Sequence, residues 1–172
     1  MAFDYYYFVS SLPTLKINDT CGMSSSRFLD LCDRLIDSQR DLHVIKFAKI
    51  ESFNKTSRNL ILVQWRNYET EIRNQLVILR ARRLERCPDT YLRGESFDVY
   101  IRPEIVELFS ASTPLDSEDK LFRLRWFLFE RLGRWEHYNL NAIILYYLKL
   151  QLLERKQRMT KSNGRKVVEG LL

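Results

Sequence analysis

Hydrophobic residues recur at helical spacing along most of the chain, and the clearest case runs from Arg58 to Arg86. Its apolar positions lie three or four residues apart, which is the period of one helix face. They are Ile61, Trp65, Tyr68, Ile72, Leu76 and Leu79. Pro88 follows, and because the residue before a proline is pushed out of the α region, we expect the helix to end there. The pattern predicts an amphipathic helix roughly 40 Å long.

Two later segments are apolar around almost their whole circumference. We expect Asp116 or Ser117 to cap the first, which carries large apolar residues over 121–132, and Asn139 to cap the second, which stays apolar until Glu154. A helix that is apolar nearly all round is buried in a protein core. The two segments therefore predict a buried, antiparallel central helix pair.

Shorter elements are expected elsewhere. Ser24–Ser26 offer N-caps for an amphipathic helix ending near Gln39, and Pro103 suits the first turn of another helix. Residues 44–53 fit either a further helix or an apolar loop. The polar residues 54–57 predict a break before the long helix.

Composition favours the same fold class. The chain has 172 residues with 26 Leu and 19 Arg, which lose little rotamer freedom in a helix, against five Gly and four Pro. We predict a mainly α protein, a helical bundle formed by a single domain over residues 1–172. Two sub-bundles, 1–90 and 100–157, and a basic C-terminal segment, 158–172, can be distinguished within it.

The first thirteen residues hold the densest aromatic run of the chain: Phe3, Tyr5, Tyr6, Tyr7 and Phe8. A targeting segment, a piece of core and a docking arm are the three interpretations. Asp4 stands where a signal peptide has positive charge, and the most apolar run, 142–148, is far shorter than the roughly 20 residues of a spanning helix. We predict an arm packed into the helical body of a soluble, cytoplasmic protein, with partner docking as the alternative.

No motif indicates catalysis, a cofactor or a metal. Phosphate-binding glycine loops, nucleophile elbows and paired zinc ligands are absent from the sequence, and the three cysteines include no C-x-x-C pair. Glu130 and Arg134 have the i,i+4 spacing of an ordinary helix ion pair. Glu136 and His137 are assigned structural roles. A Cys–His dyad of Cys87 with either histidine, in an unrecognised hydrolase or transferase, stays open as an alternative, although nothing in the spacing favours it. We predict no catalytic residue, no cofactor and no metal.

Charge is concentrated in two zones of a chain with net charge +6 and an isoelectric point near 9.3. Residues 58–93 hold eight arginines against four acidic residues, and residues 149–172 hold seven Lys or Arg against two. Such a charge distribution invites nucleic acid as a partner.

The basic zones supply the candidate partner-binding residues. Arg66, Arg73 and Arg80 are seven residues apart, so a helix places them within about 40° of one another and roughly 10 Å apart along its axis. This row is either a solvated face, the complement of an acidic protein groove, or a surface for nucleic acid. The partner-binding residues predicted here are Arg66, Arg73, Arg80, Arg83, Arg155 and Arg158.

Three segments carry a resemblance to a known family. YYYFVSSLP, YETEIRNQLVILRARRLER and HYNLNAIILYYLKLQLLERK resemble a small bacterial family encoded among the subunits of V/A-type rotary ATPases. The second and third also resemble, more distantly, the C (d) subunit, the helical cap that couples the rotor shaft to the proteolipid ring.

The resemblance implies a non-catalytic subunit or accessory factor that couples the soluble ATPase part to the membrane ring. Its partners would be ATPase subunits of the central stalk or the proteolipid ring, with no small-molecule substrate and a location peripheral to the inner membrane. A shortened cap, an assembly factor and a stator-associated protein all remain open. The alternative is a basic helical nucleic-acid-binding protein, which the absence of known nucleic-acid motifs makes the weaker interpretation.

Overall fold

The computed structural model describes residues 3–17, 22–50, 58–94 and 101–159. Over these ranges the chain is mainly helical and contains no strand, which confirms the predicted fold class. The helices are α1 (Phe3–Ser11), α2 (Ser25–Leu35), α3 (Gln39–Phe47), α4 (Leu60–Arg83), α5 (Arg102–Phe109), α6 (Pro114–Leu132) and α7 (Leu140–Arg158). None of them, within the described residues, is long and apolar enough to cross a membrane.

The chain divides into two compact units. The first unit comprises Met1–Asn54 and Phe129–Leu172, and the second comprises Lys55–Leu128. The predicted sub-bundles, 1–90 and 100–157, follow chain order, whereas the first unit combines the two ends of the chain. The prediction of a single domain stays a prediction.

Helix α7 is the centre of the first unit and packs against α1, α2 and α3. Its apolar circumference is buried as predicted, with Ile143, Ile144, Leu148 and Leu150 fully shielded from solvent. Phe28 of α2 is also fully buried. Its ring stacks at 5.3 and 5.4 Å on two neighbouring tyrosines of α7. The core of this unit is therefore built from aliphatic and aromatic groups.

The opening aromatic run forms α1 and divides between core and surface. Phe8 is buried, with its ring centroid 6.0 Å from that of Phe28, which fits the predicted arm packed into the helical body. The Tyr5 hydroxyl donates a hydrogen bond to a carboxylate oxygen of Asp41 in α3. Tyr6 and Tyr7 remain exposed. The tyrosines thus combine apolar contact with a hydroxyl group at the surface.

Helices α4 and α5 pack together in the second unit, around a core that includes Ile61, Trp65, Ile72 and Ile105. Residues 114–128 of α6 belong to this unit and bury several large apolar side chains. The end of α6 from Phe129 and the whole of α7 belong to the first unit, so the first apolar segment contributes to both units and the second to the first unit alone. The antiparallel pairing of the two segments stays a prediction.

The long basic helix ends earlier than expected. α4 stops at Arg83, and its 24 residues span about 36 Å. Glu85 adopts a left-handed φ of 52°, while the Arg86 amide donates to the Ala81 carbonyl at 2.9 Å, closing the last turn. The chain therefore leaves the helix through this turn, before Pro88 can force it out.

Side-chain caps explain where several helices begin. The predicted caps Ser24 and Asn139 are confirmed, because their side chains accept hydrogen bonds from the amides of Arg27 and Ala142. The predicted cap of α6 at Asp116 or Ser117 is wrong: α6 begins at Pro114, and the Thr113 hydroxyl accepts from the Asp116 amide at 3.1 Å.

One other expected boundary also shifts. Helix α2 ends at Leu35 instead of near Gln39, since Ser38 caps a separate helix, α3, which begins at Gln39. Pro103 lies in the first turn of α5, as predicted. The expected break at 54–57 and most of the basic segment 158–172 lie outside the described residues.

Candidate functional site

A groove of about 620 Å³ opens on the first unit beside the C-terminal half of α7. It is lined by residues of α2, of the segment that follows α3, and of α7 and its C-terminal cap. They are Ser25, Lys49, Ile50, Tyr147, Gln151, Glu154, Arg155, Arg158 and Met159. Two predicted partner-binding residues, Arg155 and Arg158, are therefore brought together here.

Long-range hydrogen bonds hold the wall of this groove. The amide and hydroxyl of Ser25 donate to the two carboxylate oxygens of Glu154 at 2.6 and 2.7 Å. The Ile50 amide donates to Gln151 Oε1 at 3.3 Å, and Gln151 Nε2 donates to the Ala48 carbonyl at 2.8 Å. These side chains of α7 thus fix both the start of α2 and the segment that follows α3.

The residues that line the groove carry a net positive charge. Lys49, Arg155 and Arg158 contribute cations, and the one lining carboxylate within the described chain, Glu154, already accepts two hydrogen bonds from Ser25. Three cations around one engaged carboxylate favour an anionic ligand.

Tyr147 forms the inner, buried part of the lining. Burial raises the pKa of its hydroxyl, and the nearby Glu154 carboxylate raises it further, while a hydrogen bond with Gln151 acts in the opposite direction. The hydroxyl therefore remains protonated at neutral pH and serves the groove as a neutral hydrogen-bonding group.

The other predicted binding residues lie on α4, in the second unit. Helix α4 is continuous through Arg66, Arg73, Arg80 and Arg83, so these arginines follow one another along the helix at the expected spacing. Arg80 and Arg83 are exposed, and the Arg73 side chain is 40% exposed and lies 3.9 Å from Glu69. The role of this row in binding stays a prediction.

Sequence reasoning missed a buried ion pair in the second unit. Arg125 Nε donates to Glu69 Oε1 at 2.6 Å and its Nη2 donates to Oε2 at 3.1 Å. The side chains are 8% and 2% exposed. The partners are 56 residues apart in the sequence, so no local spacing pattern indicates that they pair. Its bidentate geometry and burial assign it to the internal structure of this unit.

The residues considered for catalysis lie in ordinary structural settings. Glu130 Oε1 is 3.9 Å from Lys149 Nζ, whereas Arg134 lies beyond the end of α6 with its guanidinium 5.9 Å from the Trp135 ring centroid. A Glu136 carboxylate oxygen accepts from Asn139, the cap of α7. Within the described ranges, no group of three or more His, Cys, Asp and Glu side chains could hold a metal ion.

One local signal could have identified the groove. Tyr147, Gln151 and Glu154 follow one another at spacings of four and three on the largely apolar α7, which puts three polar groups on one helix face. Polar residues at this period on an apolar helix indicate a wall that faces hydrogen-bonding partners. Their partners, Ser25 and Ile50, are more than 100 residues away and could not be identified in the same manner.

Comparison with known proteins adds no relative to this description. No protein-family model, curated protein or solved structure matches the chain. The resemblance to the V/A-type ATPase family therefore stays a prediction based on the three quoted segments.

Proposed function

We propose that this protein is a non-catalytic subunit or accessory factor of a V/A-type rotary ATPase and that it binds an acidic segment of another subunit in the groove beside α7. The observation that supports binding is the charge of the lining: Lys49, Arg155 and Arg158 surround a cavity whose Glu154 carboxylate is bound by Ser25. The assignment to the ATPase rests on the three-segment resemblance.

The size and chemistry of the groove suit a peptide segment. A volume of about 620 Å³ lies within the usual range of binding clefts and accommodates a few side chains of a partner. Ile50 and Met159 add apolar contact next to the cations. An acidic segment with one or two interspersed apolar residues would satisfy both parts of this lining.

A coupling role fits the helical construction of the chain. Torque transmission needs packed helices and no nucleotide pocket, because hydrolysis takes place in other subunits. The arginine row of α4 offers a second contact surface, for the central stalk or the proteolipid ring. Such partners would hold the protein at the cytoplasmic side of the inner membrane as a peripheral component.

The test is affinity purification of the tagged protein from nuclease-treated cells at moderate salt, with partners identified by mass spectrometry. The variant Arg155→Glu/Arg158→Glu reverses two charges of the groove. The matched control is Arg27→Glu/Arg40→Glu, because both arginines are exposed in the same unit and lie in the first turns of α2 and α3, where acidic residues are tolerated.

We expect ATPase subunits with the native protein and the control, and their loss with the groove variant. Recovery at a fixed ratio indicates a stable subunit, and recovery at trace ratio indicates an assembly factor. Recovery of no ATPase subunit would overturn the proposal. Salt-sensitive binding of nucleic acid by the same purified protein would then favour the nucleic-acid alternative.

A further inference from the structure

Four exposed aromatic side chains lie together on the first unit and are called here the aromatic cluster: Tyr6, Tyr7, Trp135 and Tyr138. Trp135 and Tyr7 are 82% and 72% exposed, and the other two are about half exposed. The Tyr6 ring centroid lies 4.6 Å from that of Tyr138 and 5.7 Å from that of Tyr7. Trp135 precedes Tyr138 by three residues, which keeps their Cα atoms within about 11 Å. An exposed apolar surface of this kind indicates contact with a partner or a membrane.

The backbone that carries the cluster is held by the core of the unit. Tyr6 and Tyr7 belong to α1, which the buried Phe8 anchors. Trp135 and Tyr138 lie in the connection between α6 and α7, directly before the buried helix of the unit. Rings that already pack on one another lose little conformational entropy when they bind. The cluster is therefore a preformed contact surface.

Every side chain of the cluster combines an apolar ring with a polar group, which is the tyrosine hydroxyl or the indole N–H. Tyrosine and tryptophan are enriched at the boundary between hydrocarbon and headgroups in a bilayer, where the ring is dehydrated while the polar group stays hydrated. Wholly apolar side chains that are exposed in this unit, Leu35 and Phe47, belong to α2 and α3 instead. The composition of the cluster is thus that of a membrane-interface contact.

The charges beside the cluster suit phospholipid headgroups. The exposed Arg134 guanidinium lies 5.9 Å from the Trp135 ring centroid. Two carboxylates of the same stretch are engaged with α7: Glu130 lies 3.9 Å from a lysine of that helix, and Glu136 accepts a hydrogen bond from its cap. A guanidinium next to an exposed indole is placed to bind the phosphate of a lipid whose hydrocarbon contacts the ring.

We infer that the aromatic cluster contacts the surface of a phospholipid bilayer, with its rings at the level of the headgroups and Arg134 bound to a lipid phosphate. Single-stranded nucleic acid also stacks on aromatic rings, but it requires an excess of positive charge along its track. Residues 129–139 hold Arg131 and Arg134 against Glu130 and Glu136 and provide no such excess. The bilayer contact uses other side chains than the groove and is independent of the proposed ATPase partner.

The experiment mixes the purified full-length protein with vesicles of phosphatidylcholine and phosphatidylglycerol and follows tryptophan fluorescence. The other two tryptophans, Trp65 and Trp126, are buried, so a surface contact changes the emission of Trp135. We expect a blue shift on addition of vesicles, and quenching when the phosphatidylcholine is brominated near the headgroup end of its acyl chains. Trp135→Phe should still co-sediment with the vesicles and lose both signals.

Co-sedimentation with the same vesicles measures what the cluster contributes to binding. Trp135→Ser should weaken binding about 10-fold, because the bilayer no longer covers a large ring. Phe47→Ser is the matched control: Phe47 is 53% exposed in the same unit and precedes Ala48, whose carbonyl accepts from Gln151. Gln151 lies about 20 Å along α7 from Tyr138, so the control should change binding by less than about 2-fold.

Vesicles that leave the emission of Trp135 unchanged, or equal losses of binding for Trp135→Ser and Phe47→Ser, would overturn the inference. Two further titrations identify the other occupants of the surface. A response of Trp135 to a single-stranded oligonucleotide but not to vesicles would assign the cluster to base stacking. A response to protein concentration alone would assign it to a contact between two copies of the chain, and either result would also overturn the bilayer contact.

Discussion

Glutamates of the two units are used in different ways. In the first unit, Glu154 lines an open groove and accepts two hydrogen bonds from Ser25. In the second, Glu69 is 2% exposed and forms a bidentate pair with Arg125. A charge at a groove wall can act on a ligand, whereas a charge sealed in a core acts only on the side chains around it, here Arg125 and, at 3.9 Å, Arg73. Location therefore separates the groove arginines, Arg155 and Arg158, from Arg125, which is structural.

Buried and exposed positions should differ most in the rate of thiol alkylation. Burial, followed by the neighbouring Asp33 carboxylate, raises the pKa of Cys32 in the first unit to about 12, while Cys87 in the second unit is exposed. Because the thiolate is the reactive form, iodoacetamide at pH 8 should alkylate Cys87 at least about 100-fold faster than Cys32. Peptide mass spectrometry over time measures both rates, and comparable rates would show that Cys32 is not sealed in the core.

Breaking the buried pair should cause the largest loss of stability. Arg125→Met leaves the Glu69 carboxylate buried without its bidentate partner, so we expect the free energy of unfolding to fall by about 3–5 kcal/mol. Urea unfolding followed by circular dichroism measures the change. Arg123→Met is the control on the same helix, since Arg123 pairs with Asp119 at an exposed position and should cost less than about 1 kcal/mol. Equal losses for the two variants would contradict a structural role for Arg125.

The corresponding change in the groove should cost less. Glu154→Gln removes the charge but keeps one acceptor for Ser25, and water can reach the groove, so we expect a loss of about 1 kcal/mol. Asp30→Asn, at an exposed position of α2, should change stability by less than about 0.5 kcal/mol. The same urea titration measures both. A loss of about 3 kcal/mol or more for Glu154→Gln would mean that the groove is as tightly sealed as the core of the second unit.

The last comparison takes one capping residue from each unit, with an expected loss no larger than that of Glu154→Gln. Asn139 accepts from the Ala142 amide at 3.0 Å at the start of α7, and Asn59 accepts from the Leu62 amide at 3.2 Å at the start of α4. Replacement of either by Ala should lower the free energy of unfolding by about 1 kcal/mol, as a lost N-cap does. Thermal unfolding of the two variants gives the comparison. A change near zero at Asn139 would indicate that its cap adds nothing to the stability of α7.

Features that depend on short-range interactions could be predicted from the sequence. The caps Ser24 and Asn139 and the period of α4 act within one or two helical turns, so their signals are contiguous in the chain. The early end of α4 was missed because a left-handed Glu85 has no mark comparable to that of a proline or a glycine.

The sites themselves depend on long-range contacts. Arg155 and Arg158 were predicted as binding residues from charge alone, but Lys49 and Ser25, which complete the groove, come from the other end of the chain. Arg125 is interspersed among large apolar residues of α6, and only its partner on α4 explains how a guanidinium is buried there. Periodicity identifies a helix and its apolar face, whereas the pairing of faces requires the folded chain.

The most direct test of the proposed function places a photoreactive benzoylphenylalanine at position 159, where Met159 lines the groove and is 39% exposed. The control places the same group at position 35, where Leu35 is 51% exposed at the end of α2. After irradiation of cells, we expect a crosslink from position 159, but not from position 35, to a subunit of the rotary ATPase. No crosslink from position 159, identical crosslinks from both positions, or a crosslink to nucleic acid would contradict the proposed function.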